Sequence, residues 1–295
     1  MNKEFNYSFI IPHKNCPDLL QRCVDSIPER EDVQIIVIDD NSDADKKPSI
    51  DRKGVEVILL DAEHSKGAGH ARNAGLEHAK GKWLLFADAD DYYKDGFISI
   101  LDEYKNQQID VLYFNFEYLD GKTGNLILGF PYSDYYSMYD GTKYCLEQLK
   151  FRVKVPWNKM VRRSYLENNK ISFEETLNGN DIFFSLSVGF YVSKTVVDNR
   201  QVYVYLKNEN SLVNSKKKDP ASYICKINHK IQLNLFYNYI GHPEWHYHAF
   251  RYILYCLKVC GLKLLWKLII QSSEIWAKRN AWVIFFKRKK NEAKY

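Results

Sequence analysis

Trp83-Leu84-Leu85-Phe86-Ala87-Asp88-Ala89-Asp90-Asp91 sets a short apolar run directly ahead of a cluster of acids. The run is brief and built of aromatic and aliphatic residues, the look of a buried strand. Carboxylates two apart, just past such a strand, can point from a tight turn toward one point in space. Like charges so close repel each other, and a hard divalent cation among the oxygens relieves the repulsion. Magnesium or manganese held there keeps open positions for a substrate diphosphate and neutralises charge on a leaving group. The competing reading is a solvated turn that caps a helix beginning near Asp95.

The neighbouring segments favour the first reading. Residues 7–11, 33–38 and 55–60 are also short, apolar and rich in β-branched or aromatic residues, whereas 18–27 and 68–79 carry apolar residues at helical spacing. Strand and helix in alternation predict an α/β fold whose sheet has helices on both faces. Polar groups follow every strand: Pro12-His13-Lys14-Asn15 the first, Asp39-Asp40-Asn41-Ser42 the second, Asp61 the third, and Asp88 to Asp91 the fourth. Ligands of open α/β sheets bind beyond the carboxyl ends of the strands, so the row is a site candidate by placement alone. Asp39 and Asp40 can accept hydrogen bonds from a nucleobase or from ribose hydroxyls, or can form an Asx-type turn ahead of a cap from Ser42. The glycine patterns of dinucleotide-binding and P-loop proteins are both missing. His13, His64 and His70 fit no metal spacing and are assigned no chemistry.

Beyond Asp110 the pattern is less regular. Residues 111–116 and 195–204 read as strands, 142–149 and 181–190 as helices, and 214–220 as a polar boundary before a helical C-terminal region. The expected division is 1–105, 106–213 and 214–295. The six cysteines form no CxxC pair, which predicts reduced, packed thiols. No secretory signal and no spanning segment is read, so a cytoplasmic location is expected. The net charge of +5 conceals an asymmetry: the residues from Arg251 onward carry a balance of +9, and the rest a balance of −4. In that basic stretch Trp266, Trp276, Trp282, Phe285 and Phe286 alternate with Lys and Arg, which suits either an anionic membrane surface or a helical subdomain with solvated lysines. The acidic body and the lack of a recognition fold argue against nucleic acid.

Four segments together carry a resemblance. Ser8-Phe9-Ile10-Ile11-Pro12-His13-Lys14-Asn15, Ile36-Val37-Ile38-Asp39-Asp40-Asn41-Ser42, Lys66-Gly67-Ala68-Gly69-His70-Ala71-Arg72-Asn73-Ala74-Gly75 and Phe86-Ala87-Asp88-Ala89-Asp90-Asp91 resemble, in order and spacing, the motifs of family-2 inverting glycosyltransferases of the GT-A fold. Weaker similarity continues through Trp157-Asn158-Lys159 and Asn180-Asp181-Ile182-Phe183. The resemblance implies a Rossmann-like mixed sheet flanked by helices, followed here by a helical C-terminal extension. It implies a nucleobase pocket lined by Pro12 and Asp40, with Asn15, Asp39 and Asp61 at the same strand ends. It puts Arg72 near the nucleotide phosphates, Asp88 at the ribose or metal, and Asp90 as the principal ligand of Mg2+ or Mn2+. Asp91, Trp157 and Lys159 are supporting candidates. Asp181 matches the family's catalytic base, which takes a proton from the acceptor hydroxyl as that oxygen attacks the anomeric carbon. Two residues depart from the pattern: Lys14 stands where Tyr is usual, and Asn180 where Glu is common.

The expected reaction moves a sugar from a nucleotide diphosphate, a UDP-sugar by preference, to a hydroxyl of a glycan or lipid-linked acceptor, as in cell-surface polysaccharide synthesis. A peripheral place on the inner membrane face goes with the basic stretch. The alternatives are a nucleotidyltransferase and a non-catalytic nucleotide-sugar or glycan-binding protein of the same fold.

Overall fold

The computed structural model describes residues 4–130, 132–176, 178–208, 220–248 and 254. The polar run 214–219 and the basic aromatic stretch, Leu254 excepted, lie outside the described residues. The chain divides into two compact units, Met1–Thr176 with Asn180–Asn214, and Leu177–Gly179 with Ser215–Tyr295.

In chain order the first unit runs β1 (Tyr7–His13), α1 (Pro17–Asp25), β2 (Val33–Asp39), β3 (Val55–Leu59), α2 (Ala68–His78), β4 (Trp83–Phe86), β5 (Tyr92–Tyr93), α3 (Phe97–Asp102), β6 (Val111–Asp120), α4 (Ser133–Ser137), α5 (Lys143–Arg152), β7 (Lys159–Arg162), α6 (Arg163–Asn169), α7 (Ile182–Tyr191) and β8 (Thr195–Lys207). Among its described residues the second unit contains α8 (Pro220–Ile240) and a 3-10 turn, Pro243–Trp245, whose Trp245 meets the Tyr237 ring edge-on at 5.7 Å. Among the described residues no helix is long and apolar enough to cross a membrane.

The eight strands form one mixed sheet in the order β3-β2-β1-β4-β7-β6-β8-β5. β1 to β4 are mutually parallel, β7 runs antiparallel to both β4 and β6, and β8 is parallel to β6. Side-chain alternation sorts the central strands onto two buried faces. Phe9, Ile11, Ile35, Val37, Trp83 and Leu85 point to one, where Leu20, Cys23 and Val24 of α1 cover them. Ile10, Ile36, Ile38, Leu84 and Phe86 point to the other, against α2 and α7. Because both faces are covered, β2 is buried at every position and reads in sequence as an apolar run ahead of Asp39, interrupted only by Gln34, whose amide accepts from the Ser8 hydroxyl and donates to the His78 carbonyl.

β1 extends two residues past the expected 7–11 and so includes Pro12. Ile10 C=O accepts from Ala87 N–H at the end of β4, so even-numbered residues of β1 turn their backbone groups to that side. β4 stops pairing at Ile10, and Pro12 therefore leaves no ladder bond unmade. Glycines set how closely α2 approaches. A Cβ at Gly75 would sit 2.5 Å from Ile10 Cγ2 and 2.7 Å from Ile38 Cδ1, and one at Gly69 would meet the Glu174 carbonyl oxygen.

Candidate active site

The acidic turn begins where β4 ends, and its carboxylates do not converge as the spacing suggests. Asp91 points inward. It is fully buried, Oδ1 accepts from the Leu206 N–H (2.8 Å) and Oδ2 from the Tyr203 hydroxyl (2.9 Å). The same hydroxyl accepts from the Asp88 N–H at 2.9 Å, and the Asp91 N–H closes the turn on the Asp88 carbonyl at 3.0 Å. Burial, then the charges of Asp90 and Asp88, hold the Asp91 carboxyl well above the usual carboxylate range. Asp91 is thus an internal anchor, and the turn presents the other two acids.

Asp88 and Asp90 are each half-buried. Asp88 Oδ1 accepts from Arg72 Nη2 at 2.5 Å, and Asp90 Oδ2 from Asn208 Nδ2 at 3.1 Å. The remaining oxygen of each accepts no hydrogen bond from the described residues. Burial and the neighbouring Asp88 charge raise the Asp90 pKa, against the pull of the Asn208 amide and of Arg22. The Arg22 guanidinium donates to the Asp90 carbonyl at 2.7 Å and lies over the Tyr92 ring. Among the described residues no three His, Cys, Asp or Glu side chains gather as a metal cage. Two carboxylates with free oxygens nonetheless fit Mg2+ or Mn2+, since magnesium characteristically takes one or two protein carboxylates and completes its shell with water and substrate phosphate.

Arg72 projects from α2, is 5% exposed, and ties this turn to the segment that carries Asp181. Besides its bond to Asp88, it donates from Nη1 to Asn180 Oδ1 at 2.8 Å, over the face of Phe173. Asn180, the departure from the family's Glu, is therefore a neutral acceptor for a guanidinium that already has a carboxylate. Asp181 occupies the N-cap position of α7, yet its side chain makes no capping hydrogen bond. The alternative of a mere helix cap thus lacks its defining contact. Burial pushes the Asp181 pKa up, with Arg72 opposing and Asp88 reinforcing the shift.

The ends of β1, β2 and β3 hold the other predicted residues in unequal ways. Asp39 is buried, with Oδ1 facing His13 Nδ1 at 2.7 Å and Oδ2 accepting from the Ser42 N–H at 3.0 Å. The Cys16 N–H donates to His13 Nε2 at 3.2 Å, which assigns the ring proton to Nδ1, where it meets Asp39. His13, read in sequence as without chemistry, is a brace under this loop. Asp40 lies one position further out. Lys14 Nζ donates to its carbonyl at 2.8 Å and stands 3.5 Å from its carboxylate, and the Gly67 N–H donates to its Oδ1 at 3.3 Å. Lys14 in place of Tyr thus joins the ends of β1 and β2. Asn15, with φ 58°, exchanges amide hydrogen bonds with Asp43. Pro12 is half-buried on the side of β1 left open by β4. Asp61 is not drawn into this group. Its side chain is 67% exposed, receives the Glu63 and His64 N–H groups at 3.0 Å each, and pairs with the His64 ring.

Trp157 is buried and stacks against Tyr203 at 4.9 Å and Tyr205 at 5.4 Å, so it supports the acidic turn from within the core. Lys159 is buried in β7. Tyr203, Leu206, Asn208 and Arg22 are site-forming residues that the sequence pattern does not mark.

Comparisons with known proteins bear on the family and the fold. The family model described as glycosyl transferase family 2 matches residues 8–169. The poly(ribitol-phosphate) beta-glucosyltransferase of Bacillus spizizenii is 28% identical over 213 residues, 68% of this chain and 32% of that protein. The glycosyltransferase GlyG of Streptococcus pneumoniae is 24% identical over 231 residues, covering 71% of this chain and 73% of its own length. The chain spans less than two thirds of several curated relatives it matches, only 31% in the case of the S. pneumoniae glycosyltransferase GlyA. Among solved structures, S. aureus TarS 1-349 in complex with UDP-GlcNAc superposes with a TM-score of 0.60 at 18% identity, covering 86% of this chain and 72% of TarS 1-349. The mannosyltransferase PcManGT from Pyrobaculum calidifontis, in complex with GDP-Man and Mn2+, gives 0.53 at 14% identity, over 100% of this chain and 89% of its own. These two likenesses carry the GT-A fold. With the family model matched over 162 of its 295 residues, on the strands and turns just described, the chain belongs to glycosyl transferase family 2.

Proposed function

We propose that the protein transfers a sugar from a nucleoside-diphosphate sugar, a UDP-sugar by preference, to a hydroxyl group of a glycan or lipid-linked acceptor in cell-envelope polysaccharide synthesis. The observation that carries this reading is the Arg72 bridge. One buried guanidinium binds both Asp88 of the acidic turn and Asn180 beside Asp181, so donor-side and acceptor-side groups share one frame. The relatives' names and the UDP-GlcNAc held by TarS support the choice of donor and pathway.

In this reading Pro12 and Asp40 border the nucleobase, and Arg72 faces the phosphates. The free oxygens of Asp88 and Asp90 hold Mg2+ or Mn2+, which supplies charge neutralisation to the departing diphosphate. Asp39, Asn15 and Asp91 keep the loops and the turn in place. The reaction is a single displacement with inversion. The acceptor oxygen forms its bond to the anomeric carbon, the bond from that carbon to the donor phosphate oxygen breaks, and Asp181 takes the hydroxyl proton. A carboxylate free of capping bonds and raised in pKa by burial suits that step. Attachment to an anionic membrane face through the basic C-terminal stretch belongs to the same proposal.

The test is product analysis with a panel of UDP- and GDP-sugars, hydroxyl acceptors and Mg2+ or Mn2+, on the wild type and Asp181→Asn. Release of nucleoside diphosphate with sugar transfer, lost in the variant while donor binding persists, is expected. Release of pyrophosphate would instead mark a nucleotidyltransferase. Turnover retained by Asp181→Asn would remove Asp181 as the base.

A further inference from the structure

Phe173 lies in the segment between α6 and α7, is buried, and belongs to a stretch that the sequence pattern leaves unmarked. Asn73 of α2 holds its backbone from both sides. Asn73 Nδ2 donates to the Phe173 carbonyl at 3.0 Å, and the Phe173 N–H donates to Asn73 Oδ1 at 2.8 Å. The N–H of the next residue, Glu174, donates to the Asn180 carbonyl at 3.3 Å and so returns the segment to the start of α7. The Phe173 ring then meets three parts of the site. It stacks on Phe184 of α7, three positions past Asp181, with centres 3.8 Å apart and planes 8° from parallel. Phe86, the last residue of β4, meets it at 5.0 Å and 71°. The Arg72 guanidinium lies over the ring, 5.3 Å from its centre. Phe184 covers one face, which leaves the other to the guanidinium.

Arg72 needs such a surface. Its Nη groups bind Asp88 and Asn180, while its buried Nε makes no hydrogen bond among the described residues. Two bonds from the tips of a planar group fix a line, and rotation about that line is still open. A flat ring against the guanidinium closes it, and the negative face of the ring attracts the cation. A Leu or Met would fill the same core volume without that face. We propose that Phe173 is a positioning residue that sets the plane of the Arg72 guanidinium for the donor diphosphate and ties it to the first turn of α7, where Asp181 stands. The inference rests on the reading of Arg72 as the residue that faces the phosphates.

Ring fluorination separates this role from packing. Fluorine drains negative charge from the face of the ring and leaves its shape nearly unchanged, so the attraction for the cation falls while the stack on Phe184 is kept. The experiment measures UDP affinity with Mn2+, by calorimetry, in the full chain. It compares wild type, chains carrying 4-fluoro- or 3,4,5-trifluorophenylalanine at position 173, and Phe173→Leu. Affinity should weaken about twofold with one fluorine, about fivefold with three and about tenfold in Phe173→Leu. Equal affinity across the fluorine series overturns the proposal, because a packing role does not follow the charge of the ring face. Tighter binding overturns it too, since it would mean that Arg72 leaves the ring to reach the phosphates. Should Phe173→Leu fail to fold, the fluorine series decides alone. Failure of wild type to bind either UDP or GDP is a different result: it refutes the phosphate role of Arg72, and the inference falls with it.

Discussion

Replacing Tyr203 by Phe removes one oxygen from the core and changes nothing in the sugar chemistry itself. That oxygen accepts from the Asp88 N–H and donates to Asp91 Oδ2, both at 2.9 Å, within a fully buried environment. Its loss leaves a backbone donor unpaired and leaves the Asp91 carboxyl with the Leu206 N–H alone. Leaving a buried polar group unsatisfied costs about 1–3 kcal/mol, and two such groups that can partly relax together cost about 2–4 kcal/mol. The ring itself stays, so its stack with Trp157 is kept and no cavity term is added. For a domain of this size the midpoint of thermal unfolding should fall by about 5–15 °C. Differential scanning calorimetry of the two proteins measures it, with UDP binding in the presence of Mn2+ as a second readout that should weaken. A fall below about 2 °C with UDP affinity intact would show that the turn holds its shape without this oxygen, and the account of Asp91 as an anchor would be wrong.

Gly69→Ala should be more damaging than an exposed helical substitution, since the new methyl would overlap the Glu174 carbonyl oxygen and crowd Asn180 Cβ at 2.8 Å. Overpacking of this kind costs about 1–3 kcal/mol, and the accompanying shift of Asn180 should loosen Arg72, seen as reduced melting temperature together with weaker nucleotide binding. A second expectation concerns acid stability. Asp102 is partly desolvated, which acts to raise its pKa, but hydrogen bonds from Arg30, Lys105 and Tyr7 win and bring it down to about 2. A depressed carboxyl contributes stability that is complete above its unfolded value near 4 and is lost as pH falls from there toward 2. Its partial exposure discounts the effect to about 1–2 kcal/mol. Urea unfolding of Asp102→Asn between pH 2 and 6 should therefore show a shallower acid decline than wild type, and a parallel decline would remove Asp102 from the account.

The strands within residues 1–105 were legible because a sheet covered on both faces demands largely apolar runs, and 33–38, interrupted only by Gln34, or 83–86 can be little else. The strand ends then marked the loops where polar residues gather. β7 escaped reading because its four residues, Lys-Met-Val-Arg, carry charges at both ends, one buried as Lys159 and one laid over the Trp83 ring as Arg162. β5 is two residues long and has no periodicity to detect. The DxDD spacing is equally silent on which acid turns inward. That choice is made by Tyr203 and Leu206, whose separation from the turn in sequence hides the contact. Asp39 and Asp40 are adjacent letters with opposite fates, one sealed by His13 and Ser42 and the other set beside Lys14, because successive residues of an extended chain face opposite ways.

The bridge from Tyr203 to Asp88 spans 115 positions. During synthesis the acidic turn leaves the ribosome long before the strand that fastens it, so the nascent N-terminal portion carries Asp88, Asp90 and Asp91 without the hydroxyl or the Leu206 amide that sort their directions. A fragment ending near residue 105 would keep every acidic letter of the motif and the Arg72 and Arg22 contacts, but would lose the two donors that turn Asp91 inward. Under the proposed function the donor-binding segment is accordingly not a portable module: the turn's assembly waits for β8, and nucleotide affinity should emerge only once the chain has been made through Leu206.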